Sequence, residues 1–460
     1  MSVFSLISYV SRRREENMET YRMDEDALYK EAMEYACSQE NMSISMLQRK
    51  YRIGFRLAER LMDRLVDDGI VSCEAGTIPK VLGKSGNPKR EIVDRWKQLG
   101  TGFDKHYNNI IRIIIESCCA DSEANSIFSP LSVLVLVNML AGATAGKTRH
   151  ELETIIGKNL KYDSSKEQIK TLLSYLGTGD CLQSANAACI DLQIRDSINP
   201  EYIKELQDYY SAELISSNNI ALDTNKWVSE KTKGAIQKVL QNTDKNLVAS
   251  LINAIAFDAK WQETYGEDNV LDGRFTNSDS SISIIPMLHS GENKYIKGGK
   301  YVGFIKNYKR GEFSFMGLLP KKKGAENLRR CLKQLDFTEA FASAVREKVL
   351  VKMPEFNYSC NIDVKELCKQ LGAKEVFTSD ADFSPMSSEW LMIDNMLHSA
   401  RIEVDRKGTK AAAVTVAAVG YGCTPDFSEP KIVELNRPFI YAIMHNATKL
   451  PIFVGIVNKL

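Results

Sequence analysis

The spacing of apolar residues predicts three short helices in the first part of the chain. The first helix has an apolar face formed by Leu28, Ala32, Tyr35 and Ala36. The second spans residues 46–51, with Ser43 or Ser45 as its N-cap, and the third spans residues 55–66. A tight turn at residues 52–54 joins the last two helices, so the pattern predicts a small helix-turn-helix unit.

Beyond residue 106 the pattern changes, because helical spacing alternates with runs of β-branched residues. Residues 130–139 have the apolar periodicity of a helix, whereas residues 247–257 and 452–457 are typical of buried strands. We therefore expect a multi-domain α+β protein with four segments, which are a tail at 1–22, a helical domain at 23–83, a linker rich in Gly, Pro and charge at 84–105, and a large mixed domain at 106–460.

Composition places the chain among globular proteins and excludes several function classes. Of its 460 residues 44% are apolar and 26% are charged, and 60 Lys and Arg against 59 Asp and Glu leave a net charge of +1. A chain this neutral has no overall basic field for nucleic acid or anionic membranes, so any such surface must be local. The sequence has no apolar run of about 18 residues, so we expect no membrane span.

The start of the chain and its cysteines indicate a reducing compartment. Apolar residues precede the basic cluster at residues 12–14, the reverse of a secretory signal, so we interpret the first residues as an uncleaved tail. Ten cysteines without a C-x-x-C pair fit neither a disulfide framework nor a zinc site. We expect reduced thiols, no metal, no cofactor and a cytoplasmic location, with an extracellular location as the alternative.

Basic side chains concentrate around the predicted helix-turn-helix. They are Arg49, Lys50, Arg52, Arg56 and Arg60. Contacts with DNA phosphates need such a patch, although the solvated outer face of a small helical unit has the same composition. The string SISMLQRKYRIGFRLAERLMDRLVDDGIVS, with the following GTIPKVL, resembles the gamma winged-helix domain of the bacterial DNA translocase FtsK. The resemblance implies a winged helix that binds double-stranded DNA.

The base-reading positions depart from that family. Its turn and third helix usually read close to RIGYNRAAR, whereas residues 52–60 here read RIGFRLAER. The base-reading Asn-Arg pair is thereby replaced by Arg56 and Leu57. Because Leu cannot make the bidentate hydrogen bonds by which Asn and Arg read base edges, we expect phosphate binding to persist and the family's target sequence to be lost.

The large C-terminal part has no motif of the common enzyme classes. G-x-S-x-G, H-E-x-x-H and a dinucleotide-binding fingerprint are all missing, so we expect no enzyme. Its most informative stretch is GTKAAAVTVAAV at residues 408–419, in which one face of a strand would carry only small side chains: Thr409, Ala411, Ala413, Thr415, Ala417 and Val419. A strand with so small a face can enter a crowded sheet, although an ordinary buried or edge strand is the alternative interpretation.

Residues 106–460 resemble the serpin family of protease inhibitors along almost their whole length. The matching strings include FSPLS, MLAGATAGKTRHELE, NKWVSEKTKGAI, NAIAFDAKW, MPEF, LGAKEVF, LHSARIEVDRKGTKAAA and NRPFIYAI. The resemblance implies a large five-stranded sheet, two smaller sheets, eight or nine helices and an exposed reactive-centre loop after Gly408. Serpins are suicide inhibitors: the protease acylates itself on the loop, and the cut loop then inserts into the large sheet as a new strand.

The start of the loop favours inhibition over a passive role. Inhibitory serpins carry Gly, then Thr, then a run of Ala with a further Thr, and this chain has Gly408, Thr409, Ala411, Ala412, Ala413 and Thr415 at those places. Lys410 replaces the family's usual Glu, but this position faces outward after insertion. We therefore expect a monomeric inhibitor of a serine protease.

Two further regions follow from the resemblance. The shutter, where the central strands part, maps onto Ser129, Ser132, Asn253 and His398, and the breach, where insertion begins, maps onto Trp261. Many serpins also pair a basic residue after a Met-Pro type dipeptide with a Glu at the base of the loop. This chain has Glu355 and Arg406 at these places, and we hypothesise that they form the equivalent ion pair with the charges exchanged.

The scissile bond falls in the region Gly420, Tyr421, Gly422 and Cys423. Counting 14 residues past Gly408 arrives at Gly422, and a hinge shorter by one residue arrives at Tyr421. Tyr421 would suit the apolar primary pocket of a chymotrypsin-like or subtilisin-like protease. No Arg or Lys lies between Val414 and Pro430, which argues against trypsin-like targets.

The combined interpretation is a bacterial fusion in which a winged helix holds a protease inhibitor on or near DNA. One alternative is a non-inhibitory serpin fold that serves as a DNA-binding or scaffold protein. A second alternative keeps the inhibitor and makes the helical domain a protein-docking or vestigial module.

Overall fold

The computed structural model describes residues 25–67, 70–71, 79, 81, 103–119, 123–157, 161–176, 181–240, 247–409 and 429–460. The chain divides into two compact units, Met1–Glu91 and Ile92–Leu460. The loop positions from Lys410 to Cys423 and nearly all of the predicted linker lie outside the described residues.

The first unit contains three helices, α1 (Glu25–Ala36), α2 (Ile44–Tyr51) and α3 (Phe55–Asp67). Helix α2 begins two residues earlier than predicted, because Ser43 is its N-cap and the Ser43 hydroxyl accepts the amide of Met46. Arg52 has a φ of 53°, the left-handed conformation that ends α2 before the chain enters α3. In the segment after α3, Val71 and Val81 form an antiparallel bridge, and the Met42 amide donates to the Pro79 carbonyl at 2.9 Å.

This first unit has an apolar core of its own. The residues that the helical spacing placed on inner faces are largely buried there, and they include Leu28, Ala32, Ala36, Leu61 and Leu65. Leu57 is half-buried and packs against the same core. The helical period read from the sequence therefore identified the correct faces.

The second unit has nine α-helices among its described residues. They are α4 (Phe103–Ile114), α5 (Pro130–Gly142), α6 (Gly146–Ile156), α7 (Tyr162–Leu176), α8 (Pro200–Tyr210), α9 (Ile220–Lys231), α10 (Ala325–Gln334), α11 (Phe337–Ala342) and α12 (Val364–Gln370). A π-helical turn, Ile115–Cys119, follows α4, and short 3₁₀ turns span Leu192–Ser197, Glu267–Asn269 and Glu375–Phe377. Helix α5 is buried along its whole length, which accounts for its almost unbroken apolar sequence.

The large sheet contains five long strands, in the order β3 (Ala212–Ser217), β2 (Leu182–Asp191), β4 (Ala249–Phe257), β12 (Asn395–Val404) and β11 (Phe356–Asp363). Strands β4 and β12 are parallel and directly paired, whereas β2 with β4 and β11 with β12 are antiparallel. At one end stand two strands of two residues each, β5 (Ala259–Lys260) and β13 (Gly408–Thr409).

The remaining nine strands form a second sheet, eight of them in one continuous path. Its order is β1 (Ser126–Phe128), β16 (Pro451–Val457), β15 (Phe439–His445), β9 (Phe313–Pro320), β8 (Tyr301–Asn307), β7 (Ile282–Lys297), β10 (Val345–Pro354) and β14 (Lys431–Glu434), with β6 (Val270–Thr276) also paired to β7. The 16-residue β7 pairs with β6 at its start and with β8 at its end. The two smaller sheets expected from the sequence are thus joined through β7.

The described part of the chain carries no recognisable metal chemistry. Six cysteines in these ranges are free, namely Cys37, Cys181, Cys189, Cys331, Cys360 and Cys368. No group of three or more His, Cys, Asp or Glu in these ranges is arranged to hold a metal ion. Among the helices that the structure describes, none is long and apolar enough to cross a bilayer.

Candidate functional site at the seam of the large sheet

The seam between β4 and β12 splits at one end to admit the start of the loop. The two strands are paired directly from Ser250 with Asn395 as far as Ala256 with Arg401. Beyond this point β13 lies between β12 and β5, because Thr409 pairs with Val404 on one side and with Ala259 on the other. Gly408 and Thr409 therefore already occupy the first two positions of a strand between the lines of β4 and β12.

Close backbone packing at the hinge explains why its first residue is glycine. A Cβ on Gly408 would lie 2.2 Å from the carbonyl oxygen of Ala259, a distance that no side chain tolerates. The Asp405 carboxylate accepts the amides of Lys407 and Gly408 at 2.7 and 2.9 Å and so fixes the turn before the hinge. The sequence did not single out Asp405, because a lone carboxylate in a turn is common.

Thr409 is fully buried and has a specific partner. Its hydroxyl oxygen lies 2.7 Å from that of Tyr308, a residue that the sequence pattern did not indicate. The Tyr308 ring stacks on Trp261 with 4.5 Å between ring centroids. The hinge threonine is thereby tied to the aromatic core of the breach.

Trp261 and the residues after it hold the turn that leads into the loop. The Trp261 indole N–H donates to the carbonyl of Asp405 at 2.9 Å, and the Trp261 backbone amide donates to the carbonyl of Lys407 at 3.0 Å. The amide of Tyr265 donates to the carbonyl of Arg406 at 2.9 Å. Trp261 thus contacts the turn that leads into β13, and its assignment to the breach stays a prediction from the resemblance.

A buried ion pair lies beside these rings and was not expected from the sequence. The Lys306 ammonium is 2.8 Å from the Glu292 carboxylate and 4.7 Å from the centroid of the Tyr265 ring. Burial by itself lowers the pKa of Lys306, but the neighbouring Tyr265 and the Glu292 carboxylate outweigh it, so this pKa is raised. Lys306 therefore keeps its charge. The sequence feature that could have indicated this buried charge is the single Lys within the apolar strand YVGFIKN.

Glu355 and Arg406 lie together at the base of the loop. The Arg406 Nε is 3.5 Å from a Glu355 carboxylate oxygen, and the same oxygen accepts the Arg406 amide at 3.1 Å. Both side chains are partly exposed, so this pair contributes modestly, on the order of 0.5–1 kcal/mol.

Exchanging these two charges should restore only part of the lost stability. We expect Glu355→Arg and Arg406→Glu each to lower the free energy of unfolding by about 1 kcal/mol. The double variant should recover part of this loss by re-forming the ion pair, while the Arg406 backbone amide still lacks its acceptor. Urea unfolding of the four proteins measures the coupling, and strictly additive losses would contradict a pairing role.

The shutter residues form a directional relay of hydrogen bonds across the sheet. The Ser129 amide donates to His398 Nε2 at 2.8 Å, so the ring proton is on Nδ1, which donates to Asn253 Oδ1 at 3.0 Å. Asn253 Nδ2 in turn donates to Asn186 Oδ1 at 2.7 Å, and Asn186 Nδ2 donates to the Tyr210 carbonyl at 2.8 Å. The relay connects β12, β4, β2 and the end of α8.

Strand register explains how these distant residues meet. His398 is directly opposite Asn253 in the parallel pair, and Asn253 is opposite Asn186 in the antiparallel pair. Burial removes the His398 ring from water and lowers its pKa to about 3, so the ring is neutral and able to accept at Nε2. The sequence analysis did not single out Asn186. The feature that could have indicated it is a single amide side chain in an alanine-rich strand.

The two shutter serines lie at the start of α5. Ser129 is the N-cap of this helix, and its hydroxyl accepts the Ser132 amide at 3.3 Å. The Ser132 hydroxyl is buried and makes no hydrogen bond to any residue that the structure describes. The structure therefore brings Ser129, Asn253 and His398 into one relay and places Ser132 next to it.

The predicted DNA-binding side chains are all exposed on the first unit. Arg49 and Lys50 end α2, Arg52 forms the turn, and Arg56 and Arg60 lie on α3. The Lys50 ammonium is 5.2 Å from the centroid of the Tyr35 ring. Leu57 instead contributes to the apolar core, so this position is committed to packing.

Comparison with known proteins distinguishes the same two units. The family model described as Serpin (serine protease inhibitor) matches residues 110–460, and the one described as Ftsk gamma domain matches residues 23–82. Iripin-2 from Ixodes ricinus is 29% identical over 388 residues, which cover 79% of this chain and 95% of that protein.

Solved structures extend the likeness to three dimensions. The thermophilic serpin Tengpin in its native state has a TM-score of 0.71 and 31% identity, covering 78% of this chain and 94% of that one. The same protein in its latent state has a TM-score of 0.65 and 30% identity, covering 78% and 98%. Both matches cover most of the chain.

Proposed function

The chain belongs to the serpin family of serine protease inhibitors, and we propose that it inhibits a serine protease by loop cleavage followed by strand insertion. Family and fold support the inhibitor role. One observation carries the proposed mechanism: β13 stands at the point where β4 and β12 separate, with the rest of the loop still to follow.

Continuation of the β13 ladder accounts for the composition of the loop. If insertion keeps the pairing of Thr409 with Val404, each further loop residue pairs with one residue earlier in β12. Ala413 then falls beside Ala400, on the buried face, and Lys410 falls beside Glu403, on the outer face. This parity places one face of the alternating stretch, formed by Thr409, Ala411, Ala413, Thr415, Ala417 and Val419, inside the sheet and the single Lys outside it.

Inhibition by this mechanism depends on a competition between hydrolysis of the acyl-enzyme ester and insertion of the cleaved loop. The protease serine attacks the carbonyl carbon at the scissile bond, the C–N bond breaks, and the new amino end departs with the segment that leads to β14. The loop then carries the protease as an ester while it adds a strand between β4 and β12. The driving force is the ladder of hydrogen bonds and the apolar burial that the five-stranded sheet lacks.

A covalent adduct with a chymotrypsin-like or subtilisin-like protease is the result that tests this proposal. We expect an adduct that survives boiling in detergent, with cleavage between Val419 and Thr424, because Tyr421 suits an apolar primary pocket. Mass spectrometry of the released peptide identifies the bond, and a trypsin-like protease serves as the comparison that should give no adduct.

Clean cleavage without an adduct would contradict the inhibitory mechanism. A thermal midpoint unchanged by cleavage would show in addition that the loop does not insert. In that event the alternative proposal of a non-inhibitory DNA-binding or scaffold protein would apply.

We further propose that the first unit binds double-stranded DNA, which agrees with a cytoplasmic location. The match of residues 23–82 to the Ftsk gamma domain supports this, together with the five exposed basic side chains around the α2–α3 turn. The contacts proposed are with phosphates, because Leu57 packs into the core and reads no base. The unit would then concentrate the inhibitor on DNA.

DNA affinity should fall steeply with salt. With about four phosphate contacts, we expect affinity for a duplex to drop roughly 100-fold between 50 and 200 mM salt. Arg56→Ala should lower the slope of log affinity against log salt by about 1. The control Lys30→Ala removes an exposed basic side chain on α1 outside the basic cluster and should leave the slope unchanged. Binding that ignores salt would favour a protein-docking role for this unit.

A further inference from the structure

A large apolar side chain is exposed at the start of α3 in the first unit. Phe55 is the first residue of this helix, and its side chain is 45% exposed. Among the exposed large apolar side chains of the described ranges, Phe55 is the only one in the first unit. It is also absent from the residues that pack against the apolar core of this unit. Internal packing therefore does not account for a phenylalanine at this position.

The position of Phe55 in the helix directs its ring outward. The Cα–Cβ bond of a helical residue tilts towards the helix N-terminus, so a side chain at the first position has no preceding turn to cover. Its neighbours Gly54 and Arg56 are exposed as well, and so is Arg52 in the turn. We call Gly54, Phe55 and Arg56 together the α3 tip.

Gly54 is a glycine that its own unit does not require. A Cβ built on Gly54 would meet no atom within 4 Å, and its φ lies outside the left-handed region. The Gly54 carbonyl accepts the amides of Leu57 and Ala58 at 3.2 and 3.1 Å, a role that any residue before a helix can fill. A glycine at such a place leaves room for the backbone of the α3 tip to approach a second molecule closely.

Charge around the α3 tip identifies the partner that fits it. Arg52 and Arg56 flank the Phe55 ring in sequence, so the apolar group stands within a basic surface. A DNA duplex has the complementary chemistry, because its phosphates are anionic and its major groove presents one apolar group, the C5 methyl of thymine. Hydrogen-bonding readout is reduced here, since Leu57 packs into the core and Phe55 lacks the hydroxyl of the Tyr in the string RIGYNRAAR.

We propose that the α3 tip enters the major groove and that Phe55 packs on the C5 methyl of a thymine. This inference rests on the proposed DNA binding of the first unit and gives that site a base preference. The basic side chains hold the phosphates without regard to sequence, whereas the Phe55 ring distinguishes thymine from the other bases. One buried methyl group corresponds to a roughly four-fold difference in affinity.

Replacing thymine by uracil tests the contact, because the two bases differ only in the C5 methyl. The probes are an alternating A·T duplex and the same duplex with uracil in place of thymine, which carry equal charge and equal hydrogen-bonding groups. With the full chain at 50 mM salt, fluorescence anisotropy should show roughly four-fold tighter binding of the thymine duplex for each methyl contacted. Phe55→Ala should bind both duplexes equally, with an unchanged thermal midpoint because the side chain is outside the core.

Two further variants separate the ring from its surroundings. Arg56→Ala should weaken binding of both duplexes by the same factor and keep the preference for thymine, as expected for a phosphate contact. Gly54→Thr provides a good residue for the start of a helix, so the thermal midpoint should not fall. Its added side chain should nevertheless lower the affinity for both duplexes several-fold, because it occupies the space needed for close approach.

Several outcomes would overturn the inference. Equal affinity of the parent chain for the two duplexes would do so, and would favour a protein partner for the exposed ring. A preference for thymine that survives Phe55→Ala would assign the discrimination to the shape of the duplex instead. Binding of neither duplex would refute the DNA-binding proposal itself, which is a distinguishable result.

Discussion

Replacing Ala413 by glutamate is expected to convert the chain from an inhibitor into a substrate. In the continued ladder Ala413 falls beside Ala400, which is fully buried and pairs with Ile255 of β4. A carboxylate forced into this position has no partner, and its burial costs several kcal/mol. Insertion is therefore slowed, while cleavage continues at a bond several residues away. We expect the number of inhibitor molecules consumed per protease trapped to rise at least about ten-fold.

The adjacent residue supplies the matched control. Ala412→Glu makes the same chemical change one position earlier, where the register places the new side chain beside Arg401 on the outer face of the sheet. We expect this variant to retain the parent's adduct yield. The two variants are compared by titration of active protease and by the fraction that survives as adduct in detergent. Equal loss in both would show that the ladder does not continue in the register of β13.

Acidification is expected to destabilise the native sheet through His398. Burial lowers the pKa of this ring from 6.5 to about 3. Between pH 3 and pH 6.5 the ring is therefore protonated in the unfolded chain but neutral in the folded chain. Stability from this group is complete above pH 6.5 and falls as the pH drops towards 3. The expected contribution is about 1.4 kcal/mol per pH unit. Protonation also removes the Nε2 acceptor of the Ser129 amide and so breaks the relay.

A histidine elsewhere in the unit isolates this effect. His398→Gln should be less stable than the parent at neutral pH, yet its urea-unfolding free energy should change with pH less steeply by about 1.4 kcal/mol per unit between pH 4 and 6. His150→Gln, which removes a side chain that is 76% exposed, serves as the comparison variant. Parallel curves for the parent and the His398→Gln variant would mean that His398 does not titrate as its burial requires.

Much of the fold could be predicted from the sequence, because the apolar periodicity and the family resemblance indicated the same elements. The apolar period identified the three helices of the first unit, and the buried character of α5 and β4 was visible as almost unbroken apolar sequence. The resemblance to two families is confirmed by the matches at residues 23–82 and 110–460. The small face of the alternating stretch stays a prediction, because residues 410–419 lie outside the described residues.

The hydrogen-bond and ion-pair partners of the site residues could not be predicted from the sequence. The sequence analysis singled out His398 and Asn253 by resemblance, but Asn186, which completes their relay, lies 67 positions before Asn253. Tyr308 is 101 positions from Thr409, and the pairing of Lys306 with Glu292 depends on two strands that meet only in the folded sheet. No spacing rule reaches across such separations.

The sequence by itself determined the periodicity of each element, the composition of the loop and the absence of common catalytic motifs, because these are properties of neighbouring residues. Only the tertiary structure decided that β13 splits the seam of β4 and β12 and that one neutral histidine connects two strands. The physical reason is strand register, since a hydrogen-bonded ladder fixes which distant residues become neighbours.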